Sequence, residues 1–133
     1  MSTISPQNDM VHAIKIRMYL QKATNFISNM TLSEFEANEE KQYATAHAVE
    51  QAGEHVKKLS QHFRETMGEV EWKNVAGMRD CIVHDYEGID MELLYTSVVR
   101  EAPKVVKLLS EYISNNESLY TDTTLDFTRI SKI

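Results

Sequence analysis

The sequence predicts an all-α domain, an up-and-down bundle of four to five helices with a kinked last helix. Only four glycines and two prolines occur in 133 residues, whereas all-β domains need many more turn residues. Apolar residues recur at three- and four-residue steps along most of the chain, as on the buried face of a helix. The single cysteine excludes an intramolecular disulfide, and with it the class of disulfide-stabilised secreted domains.

The first helix is predicted to begin at Pro6 and to run to about Asn29. Ser5 can cap the free N–H groups of the first turn, and proline at the first helical position has no N–H to leave unpaired. Its main apolar positions are Ile16, Leu20, Ala23, Ile27 and Met30. This wide apolar stripe is typical of a helix in a bundle core.

A second helix is predicted after a break at residues 31–38 that contains a short turn around Phe35. Asn38 is the expected N-cap, and Gly68 ends the segment. The expected buried side comprises Ala46, Val49, Ala52, Val56, Leu59 and Phe63. Gly53 lies inside this helix, where glycine costs about 1 kcal/mol relative to alanine. This position therefore predicts the close approach of another helix.

A third helix is predicted to start near Glu71 or Trp72 and to stop before Gly88. Its expected buried residues are Trp72, Val75, Met78 and Ile82. The fourth helix is expected to be capped by Asp90 and to kink or restart at Pro103. Its predicted apolar face comprises Leu93, Val98, Val105, Leu108 and Tyr112. The helical pattern fades near residue 115, so we expect a helical domain over residues 1–115 and a flexible tail over residues 116–133.

Charge and hydropathy narrow the possible classes of function. Lys and Arg total 14 and Asp and Glu total 20, which gives a net charge of -6. This charge argues against a protein whose surface is covered with basic residues for nonspecific DNA binding. No stretch approaches the roughly 18 apolar residues that span a bilayer, and the first ten residues lack the blocks of a signal peptide. We therefore expect a cytoplasmic protein with no membrane partner.

The residues best suited to chemistry lie in the segment Arg79–Tyr86. Arg79 can bind phosphate oxygens in a fork, while His84 can exchange protons near neutral pH. Five residues separate them, which places the two side chains roughly 140° apart on an ideal helix. Either the helix ends between them, or the site is composite and draws on two subunits. Asp80 lies four residues before His84 and can orient its imidazole.

Other candidate residues are weaker. Cys81 is interpreted as a small core residue, because its neighbours are apolar. His47, Gln51 and His55 are spaced by four residues and could hold a divalent metal, but a solvated surface is the preferred interpretation. His12 has no informative neighbours in the sequence. Glycine-rich phosphate loops, paired-histidine zinc helices and serine nucleophile turns are absent, and we expect no cofactor.

One ordered set of motifs resembles a known family. It consists of R-x-x-x-x-H-x-Y at Arg79, His84 and Tyr86, the lead-in W-x-x-x-x-G-x-R from Trp72, and the segment AVEQAGEH at residues 48–55. Gly88-Ile89-Asp90 and Pro103 also match the family pattern. On these residues the chain resembles the HEPN superfamily, specifically the HepT-like toxins of HepT–MntA toxin–antitoxin pairs. The resemblance covers about residues 8–114.

This resemblance implies an all-α homodimer whose two motif-bearing helix ends face a shared cleft. It also implies a metal-independent endoribonuclease that acts on RNA, with Arg79 and His84 as catalytic residues and Asp80 in support. A 2′,3′-cyclic phosphate is the expected product, because the 2′-hydroxyl of the RNA serves as the nucleophile. The implied partner is a nucleotidyltransferase antitoxin that transfers AMP onto Tyr86.

The charge distribution leaves a second interpretation open. Residues 65–92 contain eight acidic residues and two basic ones, Lys73 and Arg79, which is unfavourable for docking RNA. The alternative is a noncatalytic dimer that acts as a scaffold or nucleotide-binding partner of a nucleotidyltransferase. If the chain does bind RNA, phosphates must be tracked by basic residues of the first or the fourth helix. These are Lys15, Arg17 and Lys22, or Arg100, Lys104 and Lys107.

Overall fold

The computed structural model describes residues 6–83 and 90–117, and in these ranges every regular element is a helix. The helices are α1 (Pro6–Phe26), α2 (Leu32–Glu36), α3 (Glu39–Lys57), α4 (Gln61–Thr66), α5 (Trp72–Val83) and α6 (Met91–Asn116). The predicted all-α class is confirmed, with two short helices, α2 and α4, joining the four long ones. Within the described ranges, no helix has the length and apolar character needed to cross a membrane.

Helix α1 packs against α3 and α6, and α5 packs against α3. Helices α1 and α3 run antiparallel. Near the start of α1, Asp9 contacts Ser60, which follows α3. At the other end, the Nζ of Lys41 lies 5.7 Å from the ring centroid of Phe26. The largest fully buried side chains are Phe35, Met10, Ile14, Ile16, Leu20, Leu109, Val49, Val56, Val98 and Thr45.

The segment between α1 and α3 is more ordered than the sequence predicted. Helix α1 ends at Phe26, three residues before the expected end, and Asn29 adopts a left-handed conformation with φ of 63°. The expected short turn around Phe35 is the helix α2. Thr31 and Glu34 form a capping box at its start, in which each side chain accepts a hydrogen bond from the other's backbone N–H.

The prediction of one helix from Asn38 through Phe63 is wrong, because α3 ends at Lys57 and α4 begins at Gln61. The Oγ of Ser60 accepts a hydrogen bond from the backbone N–H of Phe63 and so caps α4. The buried carboxylate of Asp9 accepts hydrogen bonds from the backbone N–H and the Oγ of Ser60, at 2.8 and 2.7 Å. A continuous α3 would need this backbone N–H for its own ladder, so the contact with α1 favours the break.

Helix α5 buries Trp72, Val75 and Met78, as predicted, while the side chain of Ile82, the fourth predicted residue, lies outside the described residues. The predicted cap of α6 is also confirmed, since Asp90 Oδ1 accepts a hydrogen bond from the backbone N–H of Leu93 at 3.0 Å. Leu93 itself was expected in the core, but its side chain is 46% exposed. Its neighbours Leu94 and Val98 are buried instead. They are four residues apart and share the face of α6 that meets the bundle.

Helix α6 continues through Pro103 from Met91 to Asn116. The restart that the sequence allowed at Pro103 does not occur, and a kink there stays a prediction. Proline cannot donate to the carbonyl of Val99 four residues earlier. Val99 lies on the outside of the helix, with a side chain that is 49% exposed, so water can reach this part of the backbone.

Candidate functional site

The sequence-predicted site residues fall at the end of α5 and beyond it. Arg79 lies in the last two turns of α5, and Asp80 is the next residue of the same helix. His84 and Tyr86 lie outside the described residues, as do the side chain of Asp80 and residues 118–133 of the expected tail. Arg79 is therefore the predicted site residue whose surroundings can be described.

Arg79 lies on α5 where Gly53 of α3 approaches it closely. A Cβ atom placed on Gly53 of α3 would lie 2.5 Å from the Cβ of Arg79 and 3.2 Å from its Cγ and Cδ. Because a Cβ is attached directly to the backbone, it cannot move aside without moving the helix. The sequence-based expectation that another helix passes close to Gly53 is confirmed, and that helix is the one that carries the motif.

Arg79 is held by an ion pair with the residue that follows Gly53. The carboxylate Oε1 of Glu54 contacts the guanidinium Nε of Arg79 directly. The Arg79 side chain is 19% exposed and that of Glu54 is 38% exposed, so the pair lies at the rim of the helix contact. This geometry restrains the guanidinium from one edge and keeps part of it accessible to solvent. A phosphate that binds Arg79 must share it with the Glu54 carboxylate.

The structure brings together two histidines that the sequence did not connect. His12 of α1 and His55 of α3 are 43 residues apart, yet their Nδ1 atoms lie 2.9 Å from each other. The Nδ1–H of one ring donates a hydrogen bond to the unprotonated Nδ1 of the other, so the two neutral rings are in opposite tautomers. The ring of Tyr19 stacks on His55 with centroids 6.0 Å apart and planes inclined by 15°. His55 is therefore part of a ring cluster, not only of a solvated helix face.

Burial and charge favour the neutral form of both rings. Burial, the partner ring and the cations of Lys15 and Lys58 lower the pKa of His55 to about 4, against the opposing effect of Glu54. Burial, Lys58 and Lys15 also lower the pKa of His12, and Asp9 opposes them. Both imidazoles are thus uncharged at neutral pH.

The histidine cluster was missed because its signal is not local. His12 and His55 lie on different helices, 43 residues apart, and the sequence around His55 indicates a partly solvated helix face. Their positions do share one clue, since each lies three residues before a lysine, Lys15 or Lys58. The metal site considered for the face of His47 and His55 finds no support in the described residues, where no cluster of three His, Cys, Asp or Glu side chains could hold a metal.

Comparison with known proteins gives consistent matches. The family model described as "Ribonuclease HepT-like" matches residues 16–112. A Methanocaldococcus jannaschii protein named "Putative RNase MJ1216" is 33% identical over 99 residues, which are 74% of this chain and 82% of that protein. "Putative RNase MJ0125" of the same organism is 32% identical over 102 residues, covering 77% of this chain and 88% of that protein.

A further relative has a more specific name. "Probable ribonuclease HepT" of Thermococcus cleftensis is 29% identical over 80 residues, which are 60% of this chain and 73% of that protein. No solved structure matches the chain. The family match spans Gly53, Glu54 and Arg79 together with the motif positions His84 and Tyr86. The chain therefore belongs to the HepT-like ribonuclease family of the HEPN superfamily.

Proposed function

We propose that this protein is an endoribonuclease and the toxin of a toxin–antitoxin pair. Membership of the HepT-like ribonuclease family supports the reaction class. The observation that carries the proposal is the fixed position of Arg79, which the Glu54 ion pair and the contact with Gly53 hold at the start of the motif. A positioned guanidinium is suited to bind a phosphodiester and to neutralise the charge that grows on its oxygens.

In the proposed reaction the RNA supplies its own nucleophile. His84 accepts the proton of a ribose 2′-hydroxyl, whose oxygen forms a new bond to phosphorus. The bond between phosphorus and the 5′-oxygen breaks, and this oxygen leaves with a proton from the partner subunit's His84. The products are a 2′,3′-cyclic phosphate and a 5′-hydroxyl. Arg79 binds the phosphate throughout, and Asp80 orients His84.

The site is proposed to be shared between two subunits. Arg79 and His84 are five residues apart, and one regular helix would point them roughly 140° away from each other. A homodimer with a two-fold axis near the end of α5 would place both residues of each copy around one cleft. It would also supply the two histidines that the proton transfers require, one as base and one as acid.

We further propose that Tyr86 is the point of control. A nucleotidyltransferase antitoxin would transfer AMP to the Tyr86 hydroxyl, forming a bond from the tyrosine oxygen to the α-phosphorus of ATP and releasing pyrophosphate. Tyr86 lies two residues after His84. The added phosphate carries a negative charge that would compete with RNA for Arg79.

Cleavage of RNA in excess chelator tests the proposal. Unmodified protein, verified by mass, is incubated with structured and single-stranded RNA beside the variants Arg79→Ala and His84→Ala. We expect cleavage with cyclic-phosphate ends by the unmodified protein, and a loss of about 100-fold or more for each variant. Far-ultraviolet circular dichroism confirms that the variants are folded.

A second candidate function is a noncatalytic dimer that binds its nucleotidyltransferase. Two observations favour it, the acidic excess of residues 65–92 and the engagement of Arg79 by Glu54. An ion pair of this kind can serve packing alone. Absence of cleavage by unmodified protein, together with unchanged partner binding by Arg79→Ala and His84→Ala, would establish this function instead. A nucleotide-binding role would show saturable binding of a mononucleotide.

A further inference from the structure

We propose that RNA reaches the active site along the outer contact between α1 and α3, which we call the α1–α3 seam. The seam is formed by His12, Lys15 and Tyr19 of α1 and by His55 and Lys58 at the end of α3. This inference rests on the proposed ribonuclease function, because it assigns the path of the RNA substrate. Of the basic residues that the sequence left open, it uses Lys15 of the first helix.

The five residues of the seam form one continuous surface. His12, Lys15 and Tyr19 are three and four residues apart, so they share one face of α1. His55 and Lys58 are three residues apart on the edge of α3 that meets this face. The Nδ1 atoms of His12 and His55 are 2.9 Å apart, and the rings of Tyr19 and His55 stack. Each of the five side chains is at least partly exposed.

The seam is locally cationic in an acidic protein. Lys15 and Lys58 lie close enough to both imidazoles for their charges to lower the pKa of each ring. None of the five residues is acidic. The carboxylates of Asp9 and Glu54 oppose this effect, but at each ring both lysines act more strongly than the carboxylate. The field at the seam therefore attracts anions although the whole chain has a net charge of -6.

The chemistry of the seam matches single-stranded RNA. Lysine ammonium groups track phosphates, and aromatic side chains provide flat surfaces on which unpaired bases stack. Here two lysines flank three stacked or tilted rings, those of His12, Tyr19 and His55. Neutral imidazoles are well suited to stacking because no charge must be desolvated when a base covers them.

The seam adjoins the residue that holds Arg79. Glu54, which pairs with Arg79, is the residue before His55, and one residue step turns a helix by about 100°. The seam and the Glu54–Arg79 pair therefore lie on adjoining parts of the same helix, within one helix diameter of about 10 Å. On α1, Arg17 is two residues from Lys15 and so points about 200° away from the seam. The basic residues of α6 lie on a helix that packs mainly against α1, away from the Glu54–Arg79 pair.

Binding of a fluorescent single-stranded RNA tests the path. The full chain with His84→Ala keeps the RNA intact, and fluorescence anisotropy measures affinity over a series of salt concentrations. In this background the seam variant Lys15→Ala/Lys58→Ala is compared with the matched α6 variant Lys104→Ala/Lys107→Ala. Both remove two positive charges, so a general effect of net charge is the same in each.

We expect the seam variant to bind RNA about tenfold more weakly. The slope of log binding constant against log salt concentration should become shallower by about 1.4, because two phosphate contacts are lost. The α6 variant should change affinity less than about twofold. A seam variant with Lys15→Arg/Lys58→Arg should bind like the parent, which controls for folding. Equal losses in the two alanine variants, or a larger loss on α6, would overturn the seam while wild-type cleavage still upholds the nuclease. Absence of RNA binding and cleavage in the parent proteins would overturn both.

Discussion

Two glycines on neighbouring helices have opposite surroundings. Gly53 of α3 lies against Arg79, where an added Cβ would meet another Cβ at 2.5 Å. Gly77 of α5 is different, because a Cβ there would meet nothing within 4 Å among the described residues. Neither residue has a positive φ, so neither is required by backbone conformation. Gly53 is explained by the close helix contact, and nothing in the described residues explains Gly77.

We therefore expect Gly53→Ala and Gly77→Ala to change stability in opposite directions. The first substitution forces α3 and α5 apart at Arg79, and overpacking of this kind costs about 1–3 kcal/mol. The second replaces a helical glycine in open space and should raise the free energy of unfolding by about 0.5–1 kcal/mol. Urea denaturation of both variants measures the difference. A destabilised Gly77→Ala would reveal a contact with a second subunit or with undescribed residues.

The ion pair of Arg79 and Glu54 shows how much of the site was visible in advance. Arg79 was selected from the motif, and the Gly-Glu pair was matched to the family, because both are local patterns. Their contact joins residues on two helices, and its geometry depends on the distance that Gly53 allows. The roles of His84, Asp80 and Tyr86 stay predictions, since they depend on the segment after α5.

At the scale of elements, Asp9 joins α1 to α4. Its buried carboxylate accepts two hydrogen bonds from Ser60, whose Oγ in turn caps α4. The same contact favours the break after α3. A single carboxylate thus connects three helices, although no local pattern around Asp9 in the sequence indicates this role.

We expect Asp9→Asn to destabilise the protein by about 1–3 kcal/mol. An amide has one acceptor oxygen, so its NH₂ group would face one of the two Ser60 donors without a partner. Asp90→Asn provides a matched control, because asparagine caps a helix as well as aspartate and Asp90 is exposed at the start of α6. Chemical denaturation should separate the two variants clearly. Equal effects would show that Asp9 contributes no more than an exposed cap.

Pro103 lies inside α6 and affects the stability of that helix. Pro103→Ala restores the backbone donor to the Val99 carbonyl and relieves crowding of the preceding turn. Against this, the unfolded chain gains about 0.4–1 kcal/mol of conformational freedom. We expect a net stabilisation of about 1–2 kcal/mol in thermal or urea unfolding, with the exposed Lys104→Ala as control. A loss of stability would show that α6 needs its proline to pack.

At the scale of the whole molecule, the histidine pair makes the packing of α1 on α3 sensitive to acid. The pKa of His55 falls from 6.5 in the unfolded chain to about 4 in the fold, so the unfolded state binds a proton more readily in this range. The resulting stability is fully present above pH 6.5 and is lost as the pH falls toward 4. Burial is the largest cause of this lowered pKa, His12, Lys15 and Lys58 add to it, and Glu54 opposes it.

We expect His55→Gln to make the decline of stability between pH 6.5 and pH 4 shallower by about 1 kcal/mol, after allowance for solvent screening. The variant loses the contact with His12 and should be less stable at pH 7. The free energy of unfolding, measured by urea titration at several pH values, gives both quantities. His62→Gln, at an exposed position of α4, serves as control. Parallel pH profiles for His55→Gln and the unaltered protein would contradict this role.

Local patterns in the sequence were sufficient for the fold class, most helices and the family. Scarcity of glycine and proline, apolar periodicity and the caps at Asn38 and Asp90 act over a few residues, so they can be read without knowing the fold. The motif around Arg79 is equally local. The end of α3 could not be read this way, because the competing partner of Ser60 is a carboxylate 51 residues away.

Long-range contacts depended on how the helices pack. The pairing of His12 with His55, the neutrality of both rings and the cationic α1–α3 seam all arise because α1 and α3 run antiparallel and in contact. Burial and the summed field of nearby charges set these properties, and neither follows from spacing along the chain. The sequence thus determined which residue types are available for binding and proton transfer, and the packing of the helices determined which of these residues come into contact.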